Sequence, residues 1–181
     1  MSDFDTADLR RASIEFLARR EHSIHELRQK LLKKFSDATE SIVNVALDQL
    51  EKDNLQSDTR FAESYSRYRK NQGFGCLHIR RELALRGVKR DIVESYVSLD
   101  DDAWVEAAAK ILSKPRNLVA AINTGSKEHL KLLRHLRSRG FLGFQIKAAM
   151  RKIPITDRLE WPRKSESVFV GIFVRKFYFW S

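Results

Sequence analysis

Apolar residues recur along most of this chain at steps of three and four, the period of a helix with one buried face. Leu9, Ala12 and Phe16 fall at i, i+3 and i+7; Val43, Leu47 and Leu50 fall at i, i+4 and i+7. Phe61, Tyr65 and Tyr68 repeat that stripe, as do Trp104, Ala108 and Ile111 within AWVEAAAKIL, a segment of high helix propensity. The pattern holds to residue 152. Start signals accompany it. Ser23-Ile-His-Glu26 fits a capping box, in which hydroxyl and carboxylate each satisfy an orphan amide of the first turn. Asp37-Ala-Thr-Glu40 is a second candidate and Ser57/Asp58 a third, while Gly73, Gly75, Gly87 and Gly140 sit at stops and turns.

The chain also repeats itself. Leu27-Arg-Gln-Lys-Leu31, Ile79-Arg-Arg-Glu-Leu83 and Leu132-Leu-Arg-His-Leu136 share an apolar step and lie 52 and then 53 residues apart. Lys34-Phe35, Arg86-Gly87-Val88 and Arg139-Gly140-Phe141 follow them, and then a short helix anchored by Ile42, by Ile92 and Val93, or by Ile146 and Met150. Chance likeness among amphipathic helices is the competing explanation; the two near-equal spacings and matching stops argue for a true repeat. Three helices make a unit, and units this small must pack on their neighbours along a bent rod. The expected fold is all-α: repeats at 1–56, 57–99 and 100–153 in an elongated, curved arrangement. Residues 114–125 (KPRNLVAAINTG) form an insert in the third. The tail at 154–181 breaks the pattern: VFVGIFVRKFYFW is β-branched and aromatic, consistent with a β-hairpin or a packed strand.

Composition narrows the class. Hydrophobic residues are 43% of 181, enough for a core, and seven Gly with three Pro disfavour a many-turned β fold. The single cysteine, Cys76, excludes a disulfide framework and a four-Cys zinc site and suits a reducing cytosol. The acidic start MSDFDTADLRR lacks the apolar stretch of a signal peptide, and no stretch reaches the roughly 18–20 apolar residues that span a bilayer.

The net charge of +10 is unevenly distributed. Residues 1–59 carry −3, 60–90 carry +7, 91–109 carry −6, 110–152 carry +10 and 153–181 carry +2. Blocks of this kind project a local positive potential toward an anionic partner. On the helix predicted over 126–139, Lys127, Lys131 and Arg134 fall on one line, continued by Ser138, with Leu132, Leu133 and Leu136 on the opposite side. Arg80 and Arg81 lie away from the Ile79/Leu83 stripe, with Lys89 and Arg90 just beyond Gly87. These residues and Arg137 are the candidate contacts. For Arg67, Arg69 and Lys70 a solvated surface explains the charge equally well.

Catalytic chemistry finds little footing. The five histidines (22, 25, 78, 129 and 135) are dispersed, and His22 with His25 suits a metal only if both lie within one helix. Cys76 and His78 are two apart and point away from each other on a helix. Gly73-Phe-Gly75 precedes a helix whose amino end suits a phosphate, but it lacks the lysine and serine of a P-loop, so a turn is the better reading. No enzyme activity and no cofactor or metal is expected.

Several of these segments together resemble a known family. Arg20-Glu21-His22-Ser23 with Glu26-Leu27 and Leu31 is similar to the first-repeat signature of the RecX regulatory proteins. Asp58-Thr-Arg-Phe61-Ala62, Gly73-Phe-Gly75, Ile79-Arg-Arg-Glu82-Leu83 and Arg86-Gly87-Val88 resemble the second; Leu136-Arg-Ser-Arg139-Gly140-Phe141 with Ile146 resembles the third. The resemblance covers about residues 10–152. It implies a cytoplasmic bacterial protein, a monomer and not an enzyme, that binds RecA. Such proteins lodge in the groove of the RecA–DNA filament and suppress strand exchange, ATPase and coprotease activities. Partners would then be the RecA filament and the DNA within it, with no membrane. The insert at 114–125 and the tail after about 154 depart from the family pattern. The competing reading is a direct DNA binder of helix-turn-helix type, although the third helices (DIVESYV and GFQIKAAM) offer few base-reading side chains.

Overall fold

Side chains from within a unit, and from the next unit, close the first turns of the helices. The computed structural model describes residues 5–114, 117 and 123–153, among which lie nine helices and no strand. They are α1 Thr6–Leu17, α2 Ile24–Lys34, α3 Glu40–Lys52, α4 Asp58–Asn71, α5 Cys76–Leu85, α6 Arg90–Tyr96, α7 Ala103–Leu112, α8 Lys127–Ser138 and α9 Gly143–Arg151. Asp5 caps α1, accepting from the Ala7 and Asp8 amides at 2.8 and 3.0 Å.

The capping expectations need correction in detail. Ser23 accepts from the Glu26 amide at 3.1 Å, but the Glu26 carboxylate does not return to the cap. It pairs with Arg20 at 2.9 Å and Arg86 at 3.0 Å, because two guanidiniums outcompete one amide for a carboxylate. Thr39, not Asp37, caps α3. Ser57 caps α4, which leaves the Asp58 carboxylate to reach back and accept from the Ile24 amide of α2 at 2.9 Å.

Each group of three helices has its own core. Leu9, Leu27, Leu31, Val43, Leu47 and Leu50 are completely buried in the first. Phe61, Ile79, Leu83, Val93 and Val97 build the second, and Ala108, Leu112, Leu136, Phe141, Ile146 and Ala149 the third. Burial of one such leucine contributes roughly 1.5–3 kcal/mol, so these stripes fix how each helix is rotated. Two stripes end differently from their spacing. Tyr68 is exposed at the far end of α4, and Leu112 rather than Ile111 fills the core below α7. Trp104, on the first turn of α7, packs into the second core instead of the third, its indole donating to the Ser98 carbonyl at 2.7 Å.

The units join through one device used twice. In each case the start of a unit's second helix docks on the end of the next unit's second helix. At the first junction the Ser23 hydroxyl donates to the Arg86 carbonyl at 2.7 Å and Gly87 lies against His25. At the second the Gly75 amide donates to the Arg139 carbonyl at 2.7 Å, the Leu77 amide to the Gly140 carbonyl at 3.1 Å, and Gly140 lies against His78. Both glycines follow the same helix stop, with Val88 donating to Leu83 and Phe141 to Leu136, and both have positive φ, +74° and +89°. A Cβ would fall 2.7 Å from the His25 Cβ at Gly87 and 2.4 Å from the His78 amide nitrogen at Gly140. Helix amino ends thus face carbonyl-rich helix ends, a favourable dipole arrangement.

Ion pairs reinforce the joints: Glu21 with Arg60 at 2.9 Å in the first, Lys70 with Asp101 at 3.3 Å in the second. Gln145 adds a donor to the Leu99 carbonyl at 2.9 Å. The result is a row of three units. Of the insert, only Lys114, Asn117 and 123–125 are among the described residues; the tail expected as a hairpin lies outside them.

Candidate binding surface

Helix α8 carries the ridge. Ser126 caps it, accepting from the His129 amide at 3.0 Å, and Leu132 and Leu136 are buried against Phe141 and Ile146. Those anchors turn Lys127, Lys131, Arg134 and Arg137 outward, where all four are exposed. None of them forms an ion pair among the described residues. Glu128, the one acid of residues 110–152, lies off the ridge line. Two details differ from the spacing argument. Leu133 is only partly buried, and the Ser138 hydroxyl donates back to the His135 carbonyl at 2.9 Å rather than extending the ridge. The structure adds Lys147 and Arg151 of α9, both exposed; their i, i+4 spacing was the available signal for them.

The second unit is different. Its +7 block is largely compensated within the molecule. Arg60 pairs with Glu21, Arg86 with Glu26, and Arg69 grips Glu82 with two bonds of 2.7 Å. Arg80 and Arg90 share Glu94 at 3.1 and 2.7 Å. The hydrogen bond and charge of Arg90, then Arg80, hold the Glu94 carboxyl below its ordinary value. Arg81 and Lys89 are exposed without an ion pair among the described residues. The candidate cations are therefore split: an uncompensated face on α8, and a smaller, mostly neutralised one around α5 and α6.

The remaining chemistry-bearing residues have structural work. His22 is buried; its Nδ1 donates to the Arg20 carbonyl at 2.9 Å, and its Nε2 has no partner. Burial first, and then the Arg20 charge, lowers its pKa from the usual 6.5. Cys76 is buried with its sulfur 3.6 Å from Gln145 Oε1. His78 stacks on Phe74 with ring centres 4.4 Å apart. The amide end of α5 considered for a phosphate is occupied by the Arg139 and Gly140 carbonyls. Among the described residues no group of His, Cys, Asp and Glu is arranged to hold a metal, and no helix is long and apolar enough to cross a membrane.

Over 141 residues the chain is 32% identical to the regulatory protein RecX of Halorhodospira halophila, covering 78% of this chain and 85% of that protein. It belongs to the RecX family. The model of the second three-helix domain of RecX matches residues 57–96. The regulatory protein RecX of Pseudomonas putida strain W619 is 40% identical over 98 residues, which is 54% of this chain and 62% of that relative. The crystal structure of RecX from Lactobacillus salivarius superposes with a TM-score of 0.70 at 22% identity, covering 82% of this chain and 96% of that one. At that identity the likeness establishes the fold.

The residues that carry the RecX resemblance divide between the cores, such as Leu27, Leu31, Phe61, Ile79, Leu83, Leu136 and Phe141, and the joints. Glu21, Ser23, Glu26, Asp58, Arg86, Gly87, Arg139 and Gly140 all bridge one unit to the next or lie against it. Much of the resemblance therefore records how the RecX row is built and joined, while Arg80, Arg81 and Arg137 belong both to it and to the candidate contacts.

Proposed function

We propose that this RecX family protein is a cytoplasmic negative regulator of the RecA recombinase. It binds the groove of the RecA–DNA filament as a monomer and inhibits strand exchange, ATPase and coprotease activities. It acts by binding rather than by catalysis. The single observation that carries the reading is the α8 face, with Lys127, Lys131, Arg134 and Arg137 exposed and uncompensated by any described carboxylate. Arg80, Arg81, Lys89 and Arg90 are a secondary contact, in which Arg80 and Arg90 must first share or release Glu94. A filament groove offers acidic side chains and phosphates together, and a row of units with cations on separate members can follow it. Bridging successive protomers would restrain their motion and limit access to the DNA.

The helix-turn-helix alternative loses its best side chain. Gln145, the one Asn or Gln on α6 and α9, is completely buried and committed to Leu99 and the Leu142 amide. Sequence-specific readout relies on Asn, Gln or Arg at such a helix start, and Arg90, the first residue of α6, is engaged by Glu94 at 2.7 Å.

The test is Lys127→Glu, Lys131→Glu and Arg134→Glu combined. Filament binding and inhibition of RecA ATPase should fall by about two orders of magnitude or more, since three charge-assisted contacts are each reversed. The far-UV spectrum and melting should be retained, because all three side chains are exposed. Undiminished inhibition, or wild-type preference for bare DNA over filaments at physiological salt, would sink the reading.

A further inference from the structure

The cleft between α8 and α9 differs in character from the ridge beside it. Leu133, Ile146 and Met150 supply an apolar lining, Arg137 and Lys147 supply charge, and Gly143 completes the wall. Its volume is about 240 Å³. Small-molecule sites run to roughly 300–1,000 Å³, so this one suits a single inserted side chain better than a cofactor. Leu130 and Phe144 are further exposed apolar side chains on the same two helices, at 50% and 55%.

We propose that this cleft is the socket for an apolar anchor residue carried on an acidic segment of a protein partner. The inference rests on the regulatory reading above and names what that surface grips. Charge complementarity selects the occupant. Arg137 and Lys147 line the cleft, both exposed and without an ion pair among the described residues, so a segment bearing carboxylates beside its anchor is attracted and oriented. Binding energy at such sites concentrates in an apolar side chain that fills a pocket ringed by polar groups. Met150 adds a side chain that adapts to the shape of the anchor.

A nucleobase is the weaker fit. Bases are held by stacking on aromatic faces, and the lining here is aliphatic. The chain's own tail is disfavoured by like charge, since residues 154–181 carry Arg158, Arg163, Lys164, Arg175 and Lys176 against Asp157, Glu160 and Glu166.

Gly143 makes the test clean. A Cβ there meets nothing within 4 Å, so Gly143→Leu fills the mouth of the cleft without straining the fold. Replacing glycine in a helix also favours folding. Binding of the variant to RecA–ssDNA filaments should weaken at least about tenfold, with binding to a bare single-stranded oligonucleotide unchanged and melting unchanged or higher. Wild-type binding to filaments with no loss in Gly143→Leu would overturn the socket and leave the regulatory reading standing. Equal loss on bare oligonucleotide would assign the cleft to a base instead. Deletion of 154–181 that tightens wild-type binding and abolishes the Gly143→Leu effect would assign it to the tail. Wild-type protein that ignores filaments altogether would remove the regulatory reading, and the socket with it.

Discussion

Replacing Gly140 by alanine tests the joint between the second and third units. Two costs add. The residue has φ +89°, a conformation that costs an L side chain about 1–2 kcal/mol. The new Cβ would also lie 2.4 Å from the His78 backbone nitrogen, which no rotamer change relieves, so the units must separate. Separation loosens the Gly75–Arg139 and Leu77–Gly140 hydrogen bonds, at about 1 kcal/mol each. Gly140→Ala should therefore lose about 3–4 kcal/mol in urea unfolding. Hydrogen exchange at the Gly75 and Leu77 amides should accelerate before the rest of α5 opens. Two controls separate the terms. Gly125 shares a positive φ, +87°, but has open space around it, so Gly125→Ala should lose only the conformational part, about 1 kcal/mol. Gly143→Ala has neither problem and should be neutral or gain up to about 1 kcal/mol. A Gly140→Ala loss within about 0.5 kcal/mol of the Gly125→Ala loss would refute the close-packed joint.

Two further outcomes concern the first joint. Asp58→Ala removes the carboxylate that caps Ile24 at 2.9 Å and accepts from Gln56 at 2.8 Å, and should cost about 1–2 kcal/mol by thermal melting; Asp58→Asn should recover part of it. His22 is held below its ordinary pKa of 6.5 by burial, so the unfolded chain takes up the proton more readily than the folded one. The stability this group supports is complete above about pH 6.5 and declines as pH falls through the interval below it. His22→Gln should flatten that part of the stability profile, and an unchanged slope would place the titration elsewhere.

Helix positions and the threefold repeat were legible from residue spacing because burial of one face is a local, periodic demand. Val43, Leu47 and Leu50 are all completely buried, and the Leu132/Leu136 anchors aim the α8 cations as their spacing predicts. The glycines at 87 and 140 were legible as stops, but their second duty was not. Nothing local says that each stop must also receive the histidine of another unit. Caps were partly legible. The Ser23 hydroxyl does what its position suggests, while Glu26 answers Arg86, sixty residues away.

Which cations remain uncompensated could not be read from charge blocks at all. Part of the +7 of residues 60–90 is answered from outside that block, by Glu21, Glu26 and Asp101 of neighbouring units and by Glu94 within the second. On α8 the same kind of count survives folding, because Lys127, Lys131, Arg134 and Arg137 are exposed and form no ion pair among the described residues. The amino-acid order by itself thus determined the helices, the repeat and the direction of the α8 ridge, since those follow from spacing along one helix. Only the tertiary structure decided which charges cancel, how the units join and that an apolar cleft opens beside the ridge, because each depends on side chains brought together from distant parts of the chain.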